Sequence, residues 1–370
     1  MNKKMIQVVE GVVSLAIVAS LYLVGVYVKP KEKIFHLEHP SIERRDRFFG
    51  IAEAVGKPGI LWMAGKEGKI VRSEDGGHTW QMQASGTREN LQSVAAWDSK
   101  RAVAVGNTGL VLVTADGGIT WRAVDSPKSA VDNKLLRVRI DPQGTAWAVG
   151  VMGTVLTSSD FGRTWERKVP EQDVAWNDVN FDGQGTVWVV GEFGHAMHTT
   201  QVGSKSVVVK AAGVVNQIGS DASQGLGISE EKKLTPPAGW VGVTMPTDRS
   251  LMTINFSDPQ HAVVGGVEGT LLTTNDGGAT WISVPLATKE HILDMTFAAG
   301  HWIGVGGRGL LLKGMANGTQ WEVGRAQADD YAWHATVATF QDKLLIAGAT
   351  LIEQDLKNLK VFSNEEAVAE

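Results

Sequence analysis

The chain contains no cysteine, only three tyrosines and no excess of basic residues. Without Cys there is no disulfide framework, no thiolate nucleophile and no Cys-ligated zinc. That absence leaves the compartment open, because many exported domains need no disulfide. Lys and Arg number 35 against 40 Asp and Glu, for a formal net charge of -5. The electrostatic footprint of a nucleic-acid binder is therefore missing, and no nucleic-acid partner is expected. A disordered chain is excluded as well, since apolar residues make up 43% and charged residues 20% of the sequence. What is abundant is glycine, 43 of 370 residues, together with 13 tryptophans. Average glycine usage is about 7%. This mixture suggests a turn-rich, repetitive β structure and makes internal repeats the first thing to look for.

Residues 5–28, MIQVVEGVVSLAIVASLYLVGVYV, carry one charge, Glu10. The uncharged run 11–28 would span about 27 Å as a helix, close to the ~30 Å hydrocarbon core of a bilayer. A cleaved signal peptide has a shorter apolar stretch and a small-x-small site at its end. Here the run continues past Ala16–Ser20 into Lys29, Lys31 and Lys33, which favours an uncleaved signal anchor. Residues 1–4 are then a short cytoplasmic amino terminus and 29–47 a linker. Flanking lysines on both sides nearly cancel the positive-inside rule. Orientation is taken from the large following domain, delivered across the inner membrane to the periplasmic side. Ala16 and Ser20 form a small-x-x-x-small pair that permits close helix packing. Glu10 is expensive within a bilayer unless interfacial or paired. Glu10, Ala16 and Ser20 are thus candidate contacts with another membrane protein's helices, or an interfacial Glu and two incidental small residues.

Four segments align without gaps on [ST]-x-D-x-G-x-T-W: 73–80, 114–121, 158–165 and 274–281, with a decayed copy at 314–321. They place Asp75/Trp80, Asp116/Trp121, Asp160/Trp165 and Asp276/Trp281 in equivalent positions. Upstream of each lies a Gly-x-x-Gly pair and a short apolar strand. The first glycines are 65, 106, 150, 191, 266 and 306, and a seventh copy at 347–351 has lost its second Gly. Successive spacings are 41, 44, 41, 75, 40 and 42 residues, the 75 being one repeat plus about 34 inserted residues. A further strand precedes each Gly pair. Before that again, apolar residues recur at i, i+3 and i+5, as in Leu91/Val94/Ala96. Each unit reads strand, turn, strand, Gly turn, strand, Asp turn, strand. Four short strands per repeat is the pattern of a propeller blade. The expected fold is an all-β, seven-bladed β-propeller over 48–362, with an N-terminal transmembrane helix and a tail at 363–370.

The motif has a structural rationale. An Asp side chain accepts backbone N–H groups within its own turn, and Ser/Thr hydroxyls add local bonds. Gly supplies positive φ. The Trp is expected to begin the next strand and to offer a large surface to the adjacent blade. The repeats resemble the Asp-box (BNR) repeats of sialidases and related propellers. With Gly-x-x-Gly before each box, seven copies and an amino-terminal targeting segment, residues 48–350 more closely resemble the photosystem II stability/assembly factor-like propeller family. The motif is specific for fold and poor evidence for activity. The resemblance implies a non-catalytic, membrane-anchored scaffold, assembly or accessory subunit of a membrane protein complex. Photosynthetic members assist assembly of a reaction centre. Bacterial relatives outside photosynthesis associate with resistance-nodulation-division transporters, including lipid exporters. The expected partner is therefore an integral membrane protein complex, a transporter of that type, with a photosystem assembly factor or a glycan-binding, sialidase-like propeller as alternatives.

No catalytic, cofactor-binding or metal-binding residues are assigned. A sialidase needs a Tyr nucleophile, three Arg on a carboxylate and an Asp acid; outside 5–28 the chain has only Tyr331. His195 and His198, three apart on a strand, point to opposite faces. No phosphate-binding Gly-x-x-x-x-Gly-Lys-[ST] loop is present. Arg139, on the first strand of its blade, and Arg308, within Gly-Gly-Arg-Gly, are candidate contacts for an acidic partner segment, or else solvated and salt-bridged. Trp240, near the end of a Gly/Ser-rich insertion within 201–250 in which 207–210 could form the outer strand of blade four, is a further candidate partner contact. Such an insertion on a rigid scaffold either carries function or is idle. The last blade is completed either by Ile34, Phe35 and Leu37 or by Lys360–Phe362.

Overall fold

The computed structural model describes Asn2, Leu15, Ala16, Ser20 and residues 41–200 and 234–362. The chain divides into two units, 1–40 and 41–370. In the first, Leu15, Ala16 and Ser20 are helical and exposed. Glu10 and the rest of 5–28 lie outside the described residues, as do Ile34, Phe35, Leu37 and 363–370. Among the described residues no helix is long and apolar enough to cross a membrane. The transmembrane part of the expected fold thus finds no support in the structure.

The second unit is all-β and arranged as seven sheets. Six have four strands in sequential antiparallel order, and the last has three. The first strand of each sheet is innermost: β1 (Phe48–Glu53), β5 (Leu91–Ala96), β9 (Leu135–Ile140), β13 (Trp176–Phe181), β17 (Leu251–Phe256), β21 (Ile292–Ala298) and β25 (His334–Phe340). Each inner strand packs on the next, and β25 packs on β1, so the ring closes. This is the seven-bladed propeller the repeat spacing predicts. Four of the second strands are fully buried apolar runs, for example Ala102–Gly106, as expected for strands covered on both faces, and the other three are buried at all but one residue.

Two turn types set the two faces. The Asp boxes lie beside the loops joining first and second strands, as where Gly76 N donates to Gly59 O at 2.9 Å. Each Gly-x-x-Gly turn lies on the opposite face, against the connector into the next blade. Gly65 shows why glycine stands there: a Cβ would fall 1.9 Å from the Arg47 carbonyl oxygen. Gly68 has φ of +72°, and its Cβ would meet Thr87 O at 2.3 Å.

Within the boxes, Asp116 Oδ1 accepts from Thr120 N at 3.0 Å and Oδ2 from Thr120 Oγ1 at 2.6 Å. Thr114 Oγ1 donates to Asp116 and accepts from Gly118 N. Each box tryptophan wedges against the preceding blade. Trp121 joins Trp62 in one buried cluster, and both indoles donate to Gln83 Oε1. Trp165 is buried with Trp97, Val103 and Val105 of blade two, and its indole N–H donates to Gly162 O of its own box at 3.0 Å. Trp281 meets Trp188 edge-on with centroids 6.0 Å apart. Trp80 packs with Phe340 and Leu345 of the last blade, so the same wedge also seals the ring.

Two local expectations are corrected, and a third falls on residues outside those described. The box tryptophans do not begin the outer strands. Trp80, Trp121, Trp165 and Trp281 each stand one residue ahead, before β4 (Gln81–Gln83), β8 (Arg122–Val124), β12 (Glu166–Arg167) and β20 (Ile282–Ser283). The indole must reach back to the neighbouring blade, and at Trp165 it also bonds its own turn, which keeps that residue off the ladder. The outer strand of blade four among the described residues is β16 (Trp240–Thr244), paired with β15 (His195–Thr199); 207–210 lie outside the described residues. Trp240 there takes the wedge position, 6.4 Å from Trp147 of blade three. At the carboxyl end, Phe362 exchanges two backbone hydrogen bonds with Arg325 of β24 (Trp321–Arg325). That segment lies along blade six, not the last blade. Gly324 permits the approach, since a Cβ there would sit 2.2 Å from Phe362 O.

The glycine turns differ in what a side chain would cost. Gly65→Ala should cost about 3 kcal/mol or more through the carbonyl clash. Gly56→Ala, at φ +68° in open space, should cost only about 1 kcal/mol; urea unfolding of the two variants checks the contrast. The Thr79 and Thr120 hydrogen bonds pull Asp75 and Asp116 down to about 2. With folded values below the unfolded ones, their stabilisation is full above about pH 4 and is lost as pH falls toward 2. The stability gap between wild type and the double variant Asp75→Asn/Asp116→Asn should accordingly shrink between pH 7 and pH 3.

Candidate docking face and central channel

Every inner strand carries a register shift after its first residue, for example between Trp176 and Asp178. A bulge re-aims the residue that follows it. The third residue of each inner strand consequently stands at a junction with a neighbouring blade: Gly50, Ser93, Arg137, Asp178, Thr253, Asp294 and Thr336. Asp178 and Asp294 use this position identically. Asp178 accepts from Val179 N at 2.9 Å, and from Thr253 Oγ1 and Ile254 N of the next blade, both at 3.1 Å. Asp294 accepts from Met295 N at 3.1 Å, Thr336 Oγ1 at 2.9 Å and Val337 N at 3.1 Å.

Arg139 closes the network from blade three. Its Nε and Nη2 engage the two Asp178 oxygens at 3.1 and 3.0 Å, and Nη2 lies 3.8 Å from Asp294. Arg137 lies 3.3 Å from Asp178 and 3.6 Å from Asp294. Burial pushes the Asp178 carboxyl up, but Arg139, Arg137 and the Ile254 N–H outweigh it and hold the group below the usual carboxylate range. Burial likewise opposes the Arg139 charge, and Asp178 and Asp294 overcome it. Arg139 is therefore an internal brace whose donors are committed to Asp178. Around the network is a channel cavity of about 300 Å³, lined on one side by Ala52, Ser93 and Ala95 and on the other by Asn180, Asn255 and Thr296.

Arg308 is placed differently. It occupies the left-handed position of its Gly turn, φ 50°, and its side chain is 67% exposed. Its Nε is 3.4 Å from Glu290 in the preceding connector. Beside it Tyr331 is 54% exposed, with the Arg325 guanidinium 3.8 Å above its ring and that of Arg308 at 6.0 Å. On the same face, Arg249 pairs with Glu268 at 3.1 Å, and Phe193 is exposed. Blades four to six thus present arginines and aromatics on their Gly-x-x-Gly face. Tyr331 has no free acid from its neighbour Asp330, which accepts from buried His334 at 2.6 Å and from Ala332 N. Burial raises the Asp330 carboxyl, but the His334 and Ala332 bonds and the Arg325 charge bring it below the usual range. His195 and His198 both fall on β15, and His198 stacks on Trp188.

Known proteins share the propeller fold. The family model for the photosynthesis system II assembly factor YCF48 matches residues 233–329. That span holds β16 to β24 and, with them, Arg249, Arg308 and Arg325. Over that span the chain resembles the photosystem II assembly factor propellers. It is 42% identical over 52 residues to the photosystem II assembly lipoprotein Ycf48 of Trichormus variabilis, 14% of this chain and 15% of that one. It is 37% identical over 60 residues to the chloroplastic stability/assembly factor HCF136 of Guillardia theta, 16% of this chain and 15% of that one. The chain matches only about 15% of the length of these curated relatives. Among solved structures, Ycf48 from Cyanidioschyzon merolae aligns with a TM-score of 0.63 at 17% identity, over 86% of this chain and 98% of that one. A structure described as YCF48 bound to D1 peptide gives 0.61 at 16% identity, over 84% and 92%. The WD40 propeller of Doa1 gives 0.57 at 8%, over 84% and 93%, so structural likeness alone carries the fold and not the role.

Arg139 was legible in the sequence as a first-strand arginine, but Arg137 and the two acids they meet were not singled out. The usable signal is the third inner-strand position. It is polar in six of seven blades once Ser93, Arg137, Asp178, Thr253, Asp294 and Thr336 are aligned. Asp178→Ala leaves two half-buried guanidiniums without their main anion and should destabilise the propeller by about 3 kcal/mol. Equilibrium urea unfolding measures this.

Proposed function

We propose that this propeller is a non-catalytic assembly factor that docks on a membrane protein complex of the photosystem type through its Gly-x-x-Gly face. The observation that carries the reading is that the assembly-factor family match falls on the segment bearing Arg249, Arg308 and Arg325, with exposed Tyr331 two residues beyond its end. A solved neighbour described as bound to a D1 peptide supports a segment of a membrane protein as the docked element. The transporter expected from bacterial relatives has no counterpart in the comparisons, and the assembly-factor alternative takes its place. Exposed guanidiniums beside an aromatic suit carboxylate-bearing chain segments, through paired hydrogen bonds and stacking. Arg308 is held only by a long contact to Glu290 and is available for exchange. Arg139 has no such freedom, and in this reading it shapes the ring rather than touching a partner. The apolar segment 5–28 tethers the propeller to the same membrane as its client, with Glu10, Ala16 and Ser20 on the tether.

The test is affinity capture of the full-length tagged protein from membranes of a photosynthetic host. Reaction-centre subunits should co-purify. Arg308→Glu combined with Tyr331→Ala should reduce that capture about tenfold or more, at an unchanged unfolding midpoint. Co-purification of a transporter instead, or undiminished capture by the double variant, would reject the reading.

A further inference from the structure

Among the described residues, the channel contains one charged group with no ionic counterpart. Arg137, Arg139, Asp178 and Asp294 compensate one another. Glu53, at the end of β1, lines the same cavity yet makes no ion pair among the described residues. Its Oε1 accepts only Gly59 N, at 3.2 Å. Partial burial raises its carboxyl above the ordinary value, more than that one bond lowers it. A half-buried, unpaired carboxylate costs free energy unless something supplies a cation.

The cavity is polar around Arg137, Arg139 and Asp294, but Val55, Ile140 and Phe181 make an apolar part of its wall. A second cavity of about 310 Å³ adjoins the first and shares Val55, Ile140 and Phe181 with it. Trp97 and Pro142 extend this collar. Val55 is 64% exposed at the rim. The collar is formed by loops joining first and second strands, so it opens on the Asp-box face, opposite Arg308. Among the described residues, the only charged side chain lining the second cavity is Asp141. Its carboxylate accepts Gln143 N, Thr145 N and the Trp147 indole, and it too has no cation among the described residues. The mouth therefore combines uncompensated negative charge with an apolar sleeve.

We propose that this mouth binds the side chain of a single lysine or arginine presented by a protein partner, with the methylenes in the Val55–Ile140–Phe181 collar and the cationic head on Glu53. Long basic side chains suit such a site because their stems are apolar and their tips charged. An acidic or neutral residue would leave Glu53 unpaired or repelled. The site rests on the docking reading only for the source of the side chain, and it lies on the other face of the propeller.

The experiment uses the full-length protein and partner-free probes, so its failure is distinct from failure of capture through Arg308. Hexylammonium, hexan-1-ol and hexanoate are titrated by ligand-observed NMR at pH 7. The expected result is hexylammonium bound about fivefold or more tightly than hexanol, with hexanoate weakest. Glu53→Gln should erase the preference for the ammonium while leaving hexanol unchanged. Val55→Asn, at the exposed rim, should weaken both, and Glu268→Gln on the opposite face should change neither. Equal binding of the ammonium and the alcohol, no binding of either, or a preference that survives Glu53→Gln would each overturn the proposal.

Discussion

The ring depends on a repeated bulge at the start of each inner strand. In a regular strand the third residue would keep the pleat and face its own blade's layer. The bulge turns it toward the neighbouring blade, where it meets backbone already committed to another sheet. The residue chosen at each junction then decides how close two blades come. Gly50 has no side chain, and a Cβ there would lie 2.8 Å from Ser93 Cα. Blades one and two are thus pressed together. Asp178 and Asp294 do the reverse: they fill the junction with a carboxylate that takes the next blade's N–H and hydroxyl. Propeller geometry alone does not favour a charge at this depth. Arg139 and Arg137 make it tolerable, because a buried carboxylate with excellent geometry and a cation costs far less than an isolated one. The arginines of one blade consequently brace acids belonging to blades four and six, across the ring as well as around it.

The fold was legible because the repeats advertise their turns. Glycines at 65 and 68, or 106 and 109, mark places where backbone meets backbone, and nothing else fits there. The Asp boxes mark the opposite ends of the same blades. Their tryptophans were read correctly as wedges and one residue too far into the strand, as Trp165 beside Glu166 shows. A motif fixes which neighbour an indole meets more firmly than where the ladder begins. Trp240 was harder to read, since its box is absent and an insertion separates it from its strand pair. It still occupies the slot between blades that Trp121 and Trp281 occupy elsewhere, and a large indole against the preceding second strand is the feature that survives when the box is lost. The channel network was illegible for a different reason. Asp178, Thr253 and Asp294 sit among apolar neighbours in short strands, and their bonds join residues 41 to 76 apart in sequence. Register within a blade is local and readable; registry between blades depends on a bulge whose one signature, a polar third position, emerges only when the seven inner strands are aligned. The expected membrane helix falls almost wholly on residues outside those described, so it stands on hydropathy alone.

The two faces differ in what their polar groups have left to give. On the Asp-box face, carboxylates such as Asp75, Asp116, Asp160 and Asp276 spend both oxygens on their own turns. They are many and conspicuous, yet they have little capacity for a ligand. On the Gly-x-x-Gly face the turns are shaped by glycine and backbone carbonyls, so the side chain between the glycines is not needed for the fold. That position holds Glu67, Thr108, Met152, Phe193, Glu268 and Arg308, all at positive φ. Such variety at a fixed, strained and exposed backbone site is how a rigid scaffold can change its surface without changing its shape. Arg308 and Phe193 are therefore more informative about partners than any Asp box.

Arg139 and Arg308 part on the same ground, although both looked equivalent as arginines in a repeat. A guanidinium whose donors are met by a buried carboxylate gains nothing by leaving it, because departure strands both charges. One held at 3.4 Å to a half-exposed glutamate loses almost nothing, since an exposed ion pair is worth roughly 0–1 kcal/mol. Binding capacity in this propeller follows from what the fold has not already used. By that measure the repeat motifs and the internal ion network are structural. Among the described residues, the Arg308–Tyr331–Arg325 cluster on one face and Glu53 with Asp141 at the mouth on the other keep groups to give. That these two carry opposite charge on opposite faces gives the molecule a direction, which a scaffold needs if it is to hold one component while presenting a different surface to another.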